Sequence, residues 1–157
     1  MTKIVIVGPD EKEWDNENQY KGAIKTIRKL LLKKDNYTQN IKDEIILVTG
    51  SCPYGGIDKL AEYEARKLKM KEPELHPPEV NKWNDSGRKG TSSYKKGYRT
   101  RNMDMAYSGD IGFCIVPYKF SKRCKHHNCY GHPSNGGCFT IKEMEKLKKE
   151  THLIIIW

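Results

Sequence analysis

No apolar run in this 157-residue chain approaches the length of a membrane span. The opening residues, MTKIVIVGP, carry one lysine and an apolar stretch too short for a secretory signal. The five cysteines are odd in number and make no simple disulfide framework. Internal repeats are absent, and so is any shift in composition that marks a second domain. With 36% apolar residues and 13 glycines, the chain is too apolar to stay disordered. These absences set an expectation: one domain over residues 1–157, cytoplasmic, with reduced thiols and no membrane partner.

Acidic residues are scarce in one long stretch. The net charge is +9. Between Lys82 and Lys125 there are eleven Lys/Arg and three Asp, so about +8 of that charge sits there. A solvated face is one reading of such a block. An anionic partner, nucleotide or nucleic acid, is the other.

Five apolar bursts read as strands: KIVIVG (3–8), EIILVTG (44–50), a weaker ELHPPEV (74–80), DIGFCIVP (110–117) and HLIIIW (152–157). Four are continuous rather than alternating, as strands buried on both faces are. Helical spacing recurs at Ala23, Ile24, Ile27, Leu30 and Leu31, then at Ile57, Leu60, Ala61, Ala65 and Leu68. Residues 94–107 and 140–150 make two further helices, and residues 118–134 are an insertion. The order βαβαβαβαβ predicts an α/β fold, a three-layer Rossmann-like parallel sheet of about five strands with helices on both faces. Ligands bind beyond the carboxyl ends of such strands.

Three segments that follow strands carry candidate chemistry. In Gly136-Gly137-Cys138-Phe139-Thr140-Ile141-Lys142-Glu143, paired glycines open backbone N–H groups to a phosphate at a helix start, and Thr140 adds a hydroxyl. The same octet reads equally as a capping box, Thr140-x-x-Glu143, which needs no ligand. In the next, Arg101, Asn102 and Met105 share a helix face, and an arginine fork suits phosphate. The third runs from Gly50 and Ser51 to Gly56 and Asp58 and is a second cradle, unless Asp58 only complements a helix dipole. Gly8 ends the first strand. After it, the acidic loop Asp10–Glu17 borders the same mouth, with Trp14 as a base-stacking platform.

Together these segments resemble the LOG-like superfamily, especially its YspA-like branch. The resemblance rests on Gly56-Ile-Asp58-Lys-Leu-Ala-Glu62, Glu79-Val-Asn-Lys-Trp83, Gly97-Tyr-Arg-Thr-Arg101-Asn102-x-x-Met105 and Asn135-Gly136-Gly137-Cys138-Phe139-Thr140-x-x-Glu143. Their order holds from about residue 44 to the end. It implies a nucleotide-type ligand, and N-glycosidic hydrolysis of a nucleoside monophosphate with Arg101 and Glu143 as catalytic residues. It also implies a homodimer as one assembly. Asn135, Phe139 and Asn102 depart from the pattern, where proline, glycine and lysine are usual.

The insertion offers soft ligands at short spacing. Cys124, Cys129, His132 and Cys138 are the set expected for a structural zinc ion, with His126 or His127 as a substitute. The other reading is a polar loop with incidental thiols. The leading functional expectation is nucleotide binding by Gly8, Gly50, Ser51, Gly56, Asp58, Arg101, Asn102, Gly136, Gly137 and Thr140. The alternative is a basic nucleic-acid-binding module whose loop is ordered by zinc.

Overall fold

A computed structural model describes all 157 residues. Seven strands and four α-helices follow in the order β1 (Thr2–Val7), α1 (Glu17–Leu31), β2 (Ile45–Thr49), α2 (Ile57–Lys67), β3 (Glu74–Leu75), α3 (Tyr98–Ser108), β4 (Ile111–Pro117), β5 (Lys119–Cys124), β6 (Cys129–Gly131), α4 (Gly136–Lys146) and β7 (Glu150–Ile156). A 3₁₀ turn at Glu11–Glu13 lies between β1 and α1.

The main sheet is parallel throughout, in the order β3-β2-β1-β4-β7. Side chains alternate across its strands. Ile4, Ile6, Phe113 and Ile115 face one core with Ala23, Ile27 and Leu30 of α1 and Ile57, Ala61 and Ala65 of α2. Val5, Val7, Cys114 and Val116 face the other, with Met105 and Ala106 of α3 and Ile141 and Met144 of α4. The three-layer α/β expectation therefore holds. No helix is long and apolar enough to cross a membrane.

Four boundaries differ from the sequence reading. The third strand shrinks to two residues, because Pro77 and Pro78 cannot donate to a ladder. Helix α3 starts at Tyr98 rather than 94. Upstream of it, Asp85 accepts hydrogen bonds from the Gly97 N–H, the Thr100 hydroxyl and the Tyr94 hydroxyl. These bonds, the Tyr94 hydroxyl first, hold its carboxyl down at about 2, and they tie the long β3–α3 connection to the helix start. Helix α4 begins at Gly136, not Thr140, because the Asn135 side chain caps it by accepting from the Cys138 N–H at 3.1 Å. Last, the insertion is not a loop: β5 and β6 form an antiparallel hairpin with an irregular register.

The strand order reverses between β1 and β4, and this is where the crevice of such a sheet opens. The N-termini of α2 and α4 converge there. Gly56 caps α2 with φ of +81°, and a Cβ there would lie 2.3 Å from the Pro9 carbonyl oxygen. A side chain would thus push α2 away from the end of β1.

Candidate functional site

A cavity of about 410 Å³ occupies this crevice, within the size range of small-ligand sites. Its lining includes Gly8, Asp10, Asp58, Arg101, Asn135 and Gly137. Asn81, Trp83 and Tyr98 reach it from the β3–α3 side, and Cys52 and Tyr54 from the β2–α2 turn.

The floor is a buried ion pair. Arg101 is 6% exposed and Asp58 4%. Arg101 Nη1 donates to the Gly50 carbonyl at 2.6 Å and to the His76 carbonyl at 3.3 Å, and lies 3.7 Å from Asp58 Oδ2. Its guanidinium sits 5.2 Å over the Tyr98 ring. Burial pushes the Asp58 carboxyl up to about 6, although Arg101 pulls it down. A carboxyl with a folded value of about 6 against an ordinary 3.8 stabilises the fold most when protonated, and that contribution is lost as pH rises between these values. Relative to wild type, Asp58→Asn is therefore expected to gain stability as pH rises from 4 to 7 in urea titrations. A constant difference across that range overturns the reading.

Buried polar atoms without a partner are rare in folded proteins. Seven occur here, and four belong to residues of this cavity: Asp10 Oδ1, Asp58 Oδ1, Arg101 Nε and Asn135 Nδ2. Two are acceptors and two are donors. The first N–H groups of α4, at Gly136 and Gly137, also lack partners within the helix. They present the positive end of its dipole. Removing the cap by Asn135→Ala should cost about 1 kcal/mol of stability by itself, seen in urea denaturation. An unchanged midpoint would show that the cap is idle.

The predicted site residues divide. Gly8, Asp58, Arg101, Asn102, Gly136 and Gly137 meet at the cavity. Asn102 donates to the Gly136 carbonyl at 3.4 Å. Gly50 is instead required by packing, since a Cβ there would fall 1.8 Å from Arg101 Nη1. The Ser51 hydroxyl is engaged with Glu62 and Lys59. Gly56 is the α2 cap. Thr140 is fully buried, and its hydroxyl donates to the Gly136 carbonyl at 2.9 Å, back along its own helix. Glu143 pairs with Lys146 at 2.9 Å and does not line the cavity. The capping-box reading of Thr140-x-x-Glu143 fails as well, because the cap is Asn135. Trp14 is buried in the core, so it offers no stacking face. Trp83 lines the cavity, with its ring edge-on to Phe139 at 5.0 Å. Of the basic block, only Arg101 reaches the cavity, and three acids (Asp10, Glu13, Asp58) outnumber its two cations, Lys12 and Arg101.

A second cluster lies beside the first. The ligand atoms of Cys124, His127, His132 and Cys138 all fall within 4.8 Å of one another. Cys129 stands next to the cluster, its sulfur 3.7 Å from His132 Nε2, but His127 takes its place in the set. The reason is the hairpin: Cys124 and Cys129 pair across it, and the turn between them brings the His127 ring back to 3.5 Å from the Cys124 sulfur. All five cysteines are free. Two observations fit a metal. His127 Nε2 is buried without a partner. His132 Nδ1 lies 3.0 Å from the Pro133 carbonyl, which leaves Nε2 to coordinate. The Cys138 thiol is held below its ordinary value, first by the Cys114 thiol 4.0 Å away and then by His127 and His132, against the effect of burial. Two sulfurs and two imidazoles are a donor set that zinc accepts.

The clusters share a short tether. His132 and Cys138 bracket Ser134–Gly137, which forms one wall of the cavity. Comparison with family models, curated proteins and solved structures finds no match for the chain.

Proposed function

We propose that the cavity binds a nucleotide or nucleotide-derived ligand, and that a structural zinc ion in the Cys124–His127–His132–Cys138 cluster fixes one wall of it. The carrying observation is a cavity at the switch point of the sheet whose lining joins two carboxylates, Asp10 and Asp58, to the Arg101 guanidinium and the start of α4. A bare phosphate would satisfy only donors. A nucleotide brings both complements: sugar hydroxyls for Asp10 and Asp58, and an anionic group for Arg101 and the start of α4. Trp83, Tyr54 and Tyr98 supply aromatic surface for a base. The resemblance to the LOG-like superfamily points the same way.

Thermal unfolding with a panel of nucleoside monophosphates tests this. At a hundredfold excess over Kd, a ligand should add about 2.7 kcal/mol of stability. No shift with any of them removes the proposal.

N-glycosidic hydrolysis is the catalytic extension of this reading. Its carboxylate has to come from the cavity, which Glu143 does not reach. Asp58, with its carboxyl at about 6, is poised to exchange a proton near neutral pH. Base release from a nucleoside monophosphate is expected to survive Glu143→Ala and to be lost in Asp58→Asn. The reverse pattern would restore Glu143 to the mechanism.

A further inference from the structure

The cavity leaves most of the basic block unused. Lys119, Lys122, Arg123 and Lys125 stand on the β5–β6 hairpin and its turn, and residues 118–132 contain no acid. Lys119 is paired with Glu13 at 3.1 Å. Lys122 and Lys125 are exposed and make no ion pair, and exposed Arg123, the cross-strand partner of Tyr130, hydrogen-bonds through its side chain to Asn128 of the turn.

The three most exposed aromatic side chains of the molecule lie on the hairpin or beside its foot. Phe120 on β5 is 83% exposed and Tyr130 on β6 is 71% exposed. Trp157, at 78%, stacks on Tyr118 at the foot of the hairpin, with ring centroids 4.2 Å apart. The Tyr118 N–H donates to the Ile156 carbonyl, which joins the C-terminal strand to the hairpin. Large rings left in water on and beside one small element mark an interaction surface. Unpaired cations among them specify an anionic partner with flat faces. An acidic peptide would satisfy the cations but presents no regular series of flat faces spaced between its charges, which a single strand does. A duplex keeps its bases stacked on one another and offers the rings no face.

We propose that the β5–β6 hairpin is a docking surface for single-stranded nucleic acid, with Phe120, Tyr130 and Trp157 stacking on bases and Lys122, Arg123 and Lys125 contacting phosphates. The cysteine–histidine cluster, which takes Cys124 and His127 from this hairpin, would hold it in shape. The surface is separate from the cavity and stands or falls without it.

The test is fluorescence anisotropy of the metal-replete 157-residue chain with labelled dT20 and U20 across a series of KCl concentrations. Binding should weaken with salt, with a log–log slope that flattens by about 0.7 for each phosphate contact removed in Lys122→Ala and Arg123→Ala. The Phe120→Ala/Tyr130→Ala double variant should lose at least tenfold in affinity with little change in slope. Zinc content and the nucleoside-monophosphate thermal shift should match wild type in every variant. In the unsubstituted chain, oligonucleotide should quench tryptophan emission, and Trp157→Phe should remove that quenching. The proposal is overturned by absent or salt-insensitive binding, by equal affinity for a 20-base-pair duplex, or by wild-type affinity in the aromatic double variant. Binding of phosphatidylserine vesicles in place of oligonucleotide would overturn it too.

Discussion

Arg101→Ala is expected to lower stability by about 3–5 kcal/mol and to abolish any nucleotide-induced thermal shift. The side chain is buried, and its loss strands three groups at once. The Gly50 and His76 carbonyls lose a donor, and Asp58 loses its counter-charge. An uncompensated carboxylate in a buried site is costly, so Asp58 should take up a proton and its carboxyl should rise further above about 6. The sign of the pH dependence follows. The deficit of Arg101→Ala against wild type should be smallest near pH 4, where Asp58 is neutral, and should grow as pH rises. Arg101→Lys should not rescue binding, because Nη1 alone serves both carbonyls, and a lysine that replaced it there would have no further planar N–H groups to offer an anion. Urea denaturation from pH 4 to 8, with and without nucleoside monophosphate, reads all three effects. A deficit below 1 kcal/mol with binding intact would show that Arg101 is a surface cation in disguise.

Cys138→Ser is expected to cost two things that a lone cysteine would not connect. Zinc measured by native mass spectrometry should fall below one per chain, and nucleoside-monophosphate affinity should drop tenfold or more. The reason is position. Cys138 is the third residue of α4, its N–H is the one that Asn135 caps, and residues 134–137 before it line the cavity. Metal at Cys138 and His132 would clamp that short span at both ends. Cys129→Ser supplies the contrast, since its sulfur lies beside the four-residue set. It should keep its zinc and its ligand. Zinc loss in Cys129→Ser with retention in His127→Ala would reassign the fourth ligand. Chelation of the wild-type protein should reproduce the loss of affinity seen in Cys138→Ser. Full affinity after chelation would separate the two clusters.

The layered fold is legible in the sequence. Strands buried on both faces need apolar residues at every position, so KIVIVG and DIGFCIVP stand out without a partner in view. Helices α1 and α2 declare themselves by a face that repeats every three to four residues. The start of α4 was misplaced because two cap signals overlap. Asn135 and Thr140 are both good cap residues, and the sequence does not say which side chain turns back to the backbone. The hairpin leaves no trace in the sequence because its first strand, Lys-Phe-Ser-Lys-Arg-Cys, buries only its last member. Without a buried face there is no periodic signal.

What the sequence determined by itself is the order of strands and helices and the identity of the loops at the mouth. Both follow from local patterns of burial and capping. Which side chains meet depends on how the strands and helices pack. Asp10, Asp58, Arg101 and Asn135 are far apart in the chain and converge because right-handed crossovers return each strand's end to one edge of the sheet. The same holds at the metal cluster, where a hairpin turn brought in His127 and set Cys129 aside. Glu143 and Thr140 show the converse. Proximity in sequence to the right loop placed them one helical turn too far along, facing Lys146 and their own backbone rather than the cavity.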